Sequence, residues 1–132
     1  MKPSKRTIVA LVIGLIGIFG LLEFSQPFLN SSVSGFQEVL LVKLPFVTSL
    51  CLLMSSYGFF VGKRWALKVA QAAFLLWICT GIAATHFSWT FHPWGVPAVI
   101  DRLRGISFHM FFGVVVPLLL WTVLHRLKST ER

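Results

Sequence analysis

An all-α integral membrane protein is the fold class this sequence predicts: a four-helix transmembrane bundle with a short amphipathic interfacial helix in its second outer loop. Hydrophobic residues make up 56% of the 132 residues and charged ones only 12%, about half the charged share of ordinary soluble domains. Four apolar stretches, at about 7–24, 39–62, 66–87 and 105–125, approach or reach the roughly 20 residues a helix needs to cross the hydrocarbon layer. Four strands cannot close a barrel, and lipid offers no partner to an open sheet edge, so these stretches are helices. Residues 1–132 read as a single transmembrane domain.

The first span follows a basic start, "MKPSKR", as a signal peptide would. Its apolar run is longer than the usual 7–15 residues and no A-x-A-like site follows, so an uncleaved first helix is expected. Gly14, Gly17 and Gly20 line it at a three-residue spacing. In the first outer loop, "SQPFLNSSVSGFQEV", Pro27 and the Asn30-Ser31-Ser32 run argue against helix, and Ser34 with Gln37 forms a capping box that opens the second helix near Gly35. Gly58 and Gly62 give that helix a GxxxG pair, and Ala66, Ala70 and Ala73 give the third a small-residue stripe. Small residues let helices approach closely in lipid, here within the bundle or, alternatively, against a partner. The short turn "VGKRWA" makes the second and third helices an antiparallel hairpin, with Trp65 anchored at the interface. In "VPAVIDRLRG", Val96, Val99, Ile100 and Leu103 share one helical face and Pro97 suits a first turn. This is the expected interfacial helix, with Gly105 bending the chain into the fourth span. Pro45 and Pro117 should bend the second and fourth helices.

The net charge of +8 is distributed as a membrane protein's is. Lys2, Lys5, Arg6, Lys63, Arg64, Lys68, Arg126, Lys128 and Arg132 fall on one side of a four-span chain, with only Glu131 among acids. Lys43, Arg102 and Arg104 on the other side balance Glu23, Glu38 and Asp101. Basic residues favour the cytoplasmic side, so both termini are expected there, and the basic face should favour anionic headgroups. No motif supports nucleic-acid binding. Cys51 and Cys79 fall near mid-membrane in no metal-ligand or CxxC spacing and read as small packing residues.

No Asp, Glu, Lys or Arg lies near the middle of any span, where ion-coupled carriers usually place them. The ionisable residues instead gather by depth near the outer interface: Glu23, Lys43, His86 and His109, one from each helix, with His92 in the loop "THFSWTFHPWG". Trp89 and Trp94 in the same stretch read as interfacial anchors. The plain reading is a polar belt with a structural Glu23–Lys43 ion pair. The sharper one is a ligand site, because imidazole binds haem iron and transition metals well. His86 and His109, from antiparallel neighbours at similar depth, are the candidates for a single haem b, and a quinone or lipid headgroup held by these residues is the other ligand. His109 and His125 are sixteen residues apart, about 160° around a helix, so a second stacked haem is not supported. Zinc or copper on His86, His92 and His109 matches no established ligand spacing, and no metal or cofactor is assigned.

The stretch "YGFFVGKRWALKVAQAAF", followed by His86 at the end of the third helix and with Glu38 before the second span, resembles the DoxX-like group of small four-span bacterial membrane proteins. The first helix ends "GLLEF" where that group has a lysine, and "SFHMFFGVVVPLLLWTVLH" departs from its fourth span. The resemblance implies a small membrane subunit, in some cases linked to respiratory or redox complexes. The sequence as a whole points to a non-enzymatic subunit or accessory protein in a bacterial inner membrane, working through lipid and through other subunits or copies of itself. A redox or ligand-binding protein and a small oligomeric exporter are the alternatives.

Overall fold

The computed structural model describes residues 4–30, 35–36, 39–90 and 96–130, with the backbone alone at 27–28, 30, 87–90, 96–98, 102 and 127–130. Among these residues every regular element is helical: α1 (Lys5–Asn30), a π-helical turn (Val39–Lys43) running into α2 (Leu44–Phe60), α3 (Trp65–Thr90), α4 (Val96–Met110), and a second π-helical turn (Phe111–Val115) running into α5 (Val116–Thr130). Four stretches are long and apolar enough to cross a membrane: Lys5–Gln26, Val39–Phe60, Trp65–His86 and Val99–Arg126. Each overlaps one expected span. The chain divides into two compact units, Met1–Leu76 and Trp77–Arg132.

In the first unit α1 packs antiparallel on α2 through small residues. Gly14 lies against the Ser56 side chain, Gly17 against Leu53 and the Ser49 carbonyl, and Gly20 against the Ser49 hydroxyl. Rising numbers on α1 meet falling numbers on α2. Two neighbouring serines then hydrogen-bond in different directions. The Ser56 hydroxyl donates to the Ala10 carbonyl of α1 at 2.7 Å, and the Ser55 hydroxyl donates to the Ala66 carbonyl of α3 at 2.9 Å. Large apolar side chains sit outside: Phe19 is 73% exposed and Leu22 70%, while Ala10, Ala66 and Ala70 are wholly buried. That inversion is stable only where the surrounding solvent is itself apolar, as lipid is.

The α2–α3 turn is a Schellman motif. Gly62 takes the left-handed conformation (φ +75°), its N–H donates to the Phe59 carbonyl, and the Lys63 N–H donates to the Gly58 carbonyl at 2.8 Å. Gly58 lets Ala66 and the Trp65 ring come close, but Gly62 has nothing within 4 Å of where a Cβ would stand. The GxxxG expectation therefore holds for one glycine only: Gly62 serves the turn, not a helix contact.

Two further expectations are corrected. Helix α1 does not stop near Phe24 but continues through Pro27 to Asn30. Pro27 removes one backbone bond, to the Glu23 carbonyl, whereas unwinding this segment would free several. Gly105 does not bend the chain, because α4 is helical on both sides of it. The irregular turns occur instead at 39–43 and 111–115, each ending two residues before a proline, Pro45 or Pro117. A proline ring clashes with the carbonyl four residues back, here Leu41 and Gly113, the central residues of the two π turns. The wider turn makes room for the ring. In the second, the Val116 N–H bonds the Phe111 carbonyl, five residues back. The expected capping box, Ser34 and Gln37, lies outside the described residues.

Replacing Gly17 by leucine should destabilise the detergent-solubilised protein by about 1–3 kcal/mol, by overpacking, since even a Cβ would stand 2.9 Å from Leu53 Cγ and 3.1 Å from the Leu53 nitrogen and Ser49 oxygen. Gly62→Ala should cost about 1–2 kcal/mol through its backbone conformation alone. Gly35→Ala, with open space around it, is the control and should fall within about 0.5 kcal/mol. Unfolding midpoints of the three variants test this ordering.

Candidate functional site

The second unit is organised around two glycines. Gly81 of α3 and Gly113 of the second π turn pack backbone to backbone, with the Gly113 carbonyl, carbonyl carbon and Cα all crowding the position of a Gly81 Cβ. Gly113 is the residue whose carbonyl Pro117 cannot serve, and that carbonyl is turned to the Gly81 backbone, where a Cα–H can approach an oxygen.

Consecutive spans run in opposite directions, so both candidate histidines lie to the same side of this contact. His86 is five residues further along α3 and His109 four residues back along the fourth span, about 7.5 Å and 6 Å at 1.5 Å per residue. Their depths therefore agree. Their directions do not. At about 100° per residue, five steps turn His86 about 140° away from the face that carries Gly81. Four steps bring His109 back to within about 40° of Gly113. Burial follows: His86 is exposed and His109 half-buried. Beside His109 stands an aromatic row, with Phe108 edge-on to the imidazole (centroids 5.8 Å) and next to Phe112 (4.7 Å), which meets Phe111 at 5.1 Å. Phe108, Phe111 and Phe112 are each about half exposed, so the row forms one apolar strip beside His109.

In the first unit Glu23 lies one turn past Gly20 and is exposed, and Lys43 ends a π turn that packs on α1 and is half-buried. Both are at the same end of the α1–α2 pair. Trp65 is 41% exposed at the opposite end. Trp89 is described by its backbone alone, and His92 and Trp94 lie outside the described residues. Among the described residues no three of His, Cys, Asp and Glu lie together as a metal-ligand set. Cys51 is half-buried and Cys79 exposed, both as free thiols.

Three features escaped sequence reasoning: the divergent bonds of Ser55 and Ser56, the Gly81–Gly113 contact, and the Phe108 row. Of these, Gly113 carried a readable sign, a glycine four residues before a proline within a span.

Gly81→Leu should disrupt this unit more than any histidine change, because its Cβ meets backbone, which cannot rotate away. Its unfolding midpoint should fall by the equivalent of about 2 kcal/mol or more, whereas His86→Ala, at an exposed position, should leave it within about 0.5 kcal/mol. A smaller loss for Gly81→Leu than for His86→Ala would contradict the crossing.

No protein-family model, curated protein or solved structure matches this chain.

Proposed function

We propose that this chain is a small integral protein of a bacterial inner membrane, with both termini cytoplasmic, that acts without catalysis as a subunit or accessory protein of a membrane complex. The observation that carries this reading is the use of polarity inside the spans. The hydroxyls of Thr48, Ser49, Ser55, Ser56, Thr80 and Thr85 all donate to backbone carbonyls. They hold helices and helix turns together, while large apolar side chains point outward and are available to lipid or to other membrane helices. The orientation rests on the basic residues at the α1 start, the α2–α3 turn and the chain's last residues. The DoxX-like resemblance supports the same class of role.

A reporter active only in the cytoplasm, fused after Arg132, should be active. The tagged chain in mild detergent should run as a stoichiometric complex with other subunits or with itself, joined by cross-links within the spans. Isolation as a lone monomer from native membranes would overturn the subunit reading.

The second reading is a haem b or quinone protein using His86 and His109, favoured by their matched depth and by the aromatic row beside His109. It stands second because the two imidazoles leave their helices in different directions. A reduced-minus-oxidised visible spectrum tests it: haem bands that vanish in His109→Ala would promote it, and a flat spectrum from cells supplied with haem would remove the haem form.

A further inference from the structure

Five cations from two remote parts of the sequence meet at one end of the first unit. The Ser56–Ala10 bond ties α1 to α2, and Lys5 and Arg6 lie four to five residues before Ala10 on α1. Lys63 and Arg64 lie seven to eight residues past Ser56, across the Schellman turn. The Ser55–Ala66 bond ties in α3, and Lys68 is two residues beyond Ala66. All five therefore stand within about two helical turns of one serine pair. Lys5, Lys63, Arg64 and Lys68 are exposed and Arg6 half-buried. The one acid among the described residues of this unit, Glu23, is 17 residues beyond Arg6 on α1, about 25 Å away.

The surface beside this end is apolar and open: Ile8, Leu11, Phe60 and Val61 are each about half exposed. Cations above an exposed apolar wall fit a molecule that is anionic at its head and hydrocarbon below. A soluble anion would use the cations and ignore the wall.

We propose that Lys5, Arg6, Lys63, Arg64 and Lys68 form a binding surface for the phosphate headgroup of an anionic phospholipid, whose acyl chains lie along the adjoining faces of α1 and α2. The surface rests on the chain spanning the bilayer and not on which face is cytoplasmic. It goes beyond a general attraction of basic residues for the membrane, because the helix packing gathers charges from two segments into one place.

The test uses the full chain in mild detergent, with phosphatidylglycerol and phosphatidylcholine of identical acyl chains offered in equal amounts and bound lipids counted by native mass spectrometry. Phosphatidylglycerol should be retained at least about tenfold more, and the preference should fall about fivefold for each cation removed in Lys63→Gln and Arg64→Gln. Arg104→Gln, in α4, should leave it unchanged. Raising ionic strength from about 50 to about 500 mM should abolish the preference of the unaltered chain, which tests the surface even if a variant fails to fold. Equal retention of the two lipids, equal loss in Arg104→Gln, or displacement of the lipid by inorganic phosphate with total ionic strength held at about 50 mM would each overturn the proposal. Carbonate-resistant membrane association of the variants distinguishes loss of this surface from loss of insertion.

Discussion

Two adjacent hydroxyls fix the first unit. Ser55 and Ser56 point from neighbouring positions of α2, one to the Ala66 carbonyl of α3 and the other to the Ala10 carbonyl of α1. Each bond contributes on the order of 0.6 kcal/mol in a membrane, too little to hold helices together alone. Their importance is positional. A hydroxyl finds a particular carbonyl only at one helix register, and that register places Gly14, Gly17 and Gly20 opposite Ser56, Leu53 and Ser49. Dispersion between closely approaching backbones then supplies the attraction. The hydrogen bonds choose the arrangement and the glycines stabilise it.

The same economy governs the prolines. In lipid an unpaired carbonyl costs several kcal/mol, so a proline inside a span needs local compensation. Pro45 and Pro117 are each preceded by a π turn centred on the carbonyl the ring would strike. After Pro45, the Thr48 and Ser49 hydroxyls donate back to the Leu44 and Pro45 carbonyls at 2.8 Å. At Pro117 the π turn centres on Gly113, where the absence of a side chain lets Gly81 approach. The irregular turn is thus where the second unit brings two helix backbones together, and the glycine pair sets the depth from which both histidines are measured.

Span number and position were legible because they depend on hydropathy summed over about 20 residues, which neighbouring helices do not alter. Features that depend on rotation about a helix axis were not. Ser55 and Ser56 read only as mild polar residues, since nothing local says which way a hydroxyl turns. Gly58 and Gly62 share one motif yet differ in role, because the helix ends between them and puts Gly62 into a left-handed turn. Pro27 by its intrinsic propensity argues against helix and Gly105 for a bend, and the demand for satisfied backbone overrides both. Depth at the candidate site follows from counting residues, so the matched levels of His86 and His109 were readable. Their divergent directions needed the Gly81–Gly113 contact.

What the interior is used for constrains what the chain can do. A hydroxyl has one proton to give, and six hydroxyls within the spans give theirs to carbonyls of this chain. A competitor that took the Ser55 and Ser56 protons would undo the register that positions α1 and α3 on α2. One end of the first unit carries a dense positive charge, the other Glu23 and Lys43, and the half-buried His109 carries its aromatic strip in the second unit. The proposed role by association rests on these charged ends and on the exposed apolar faces between them.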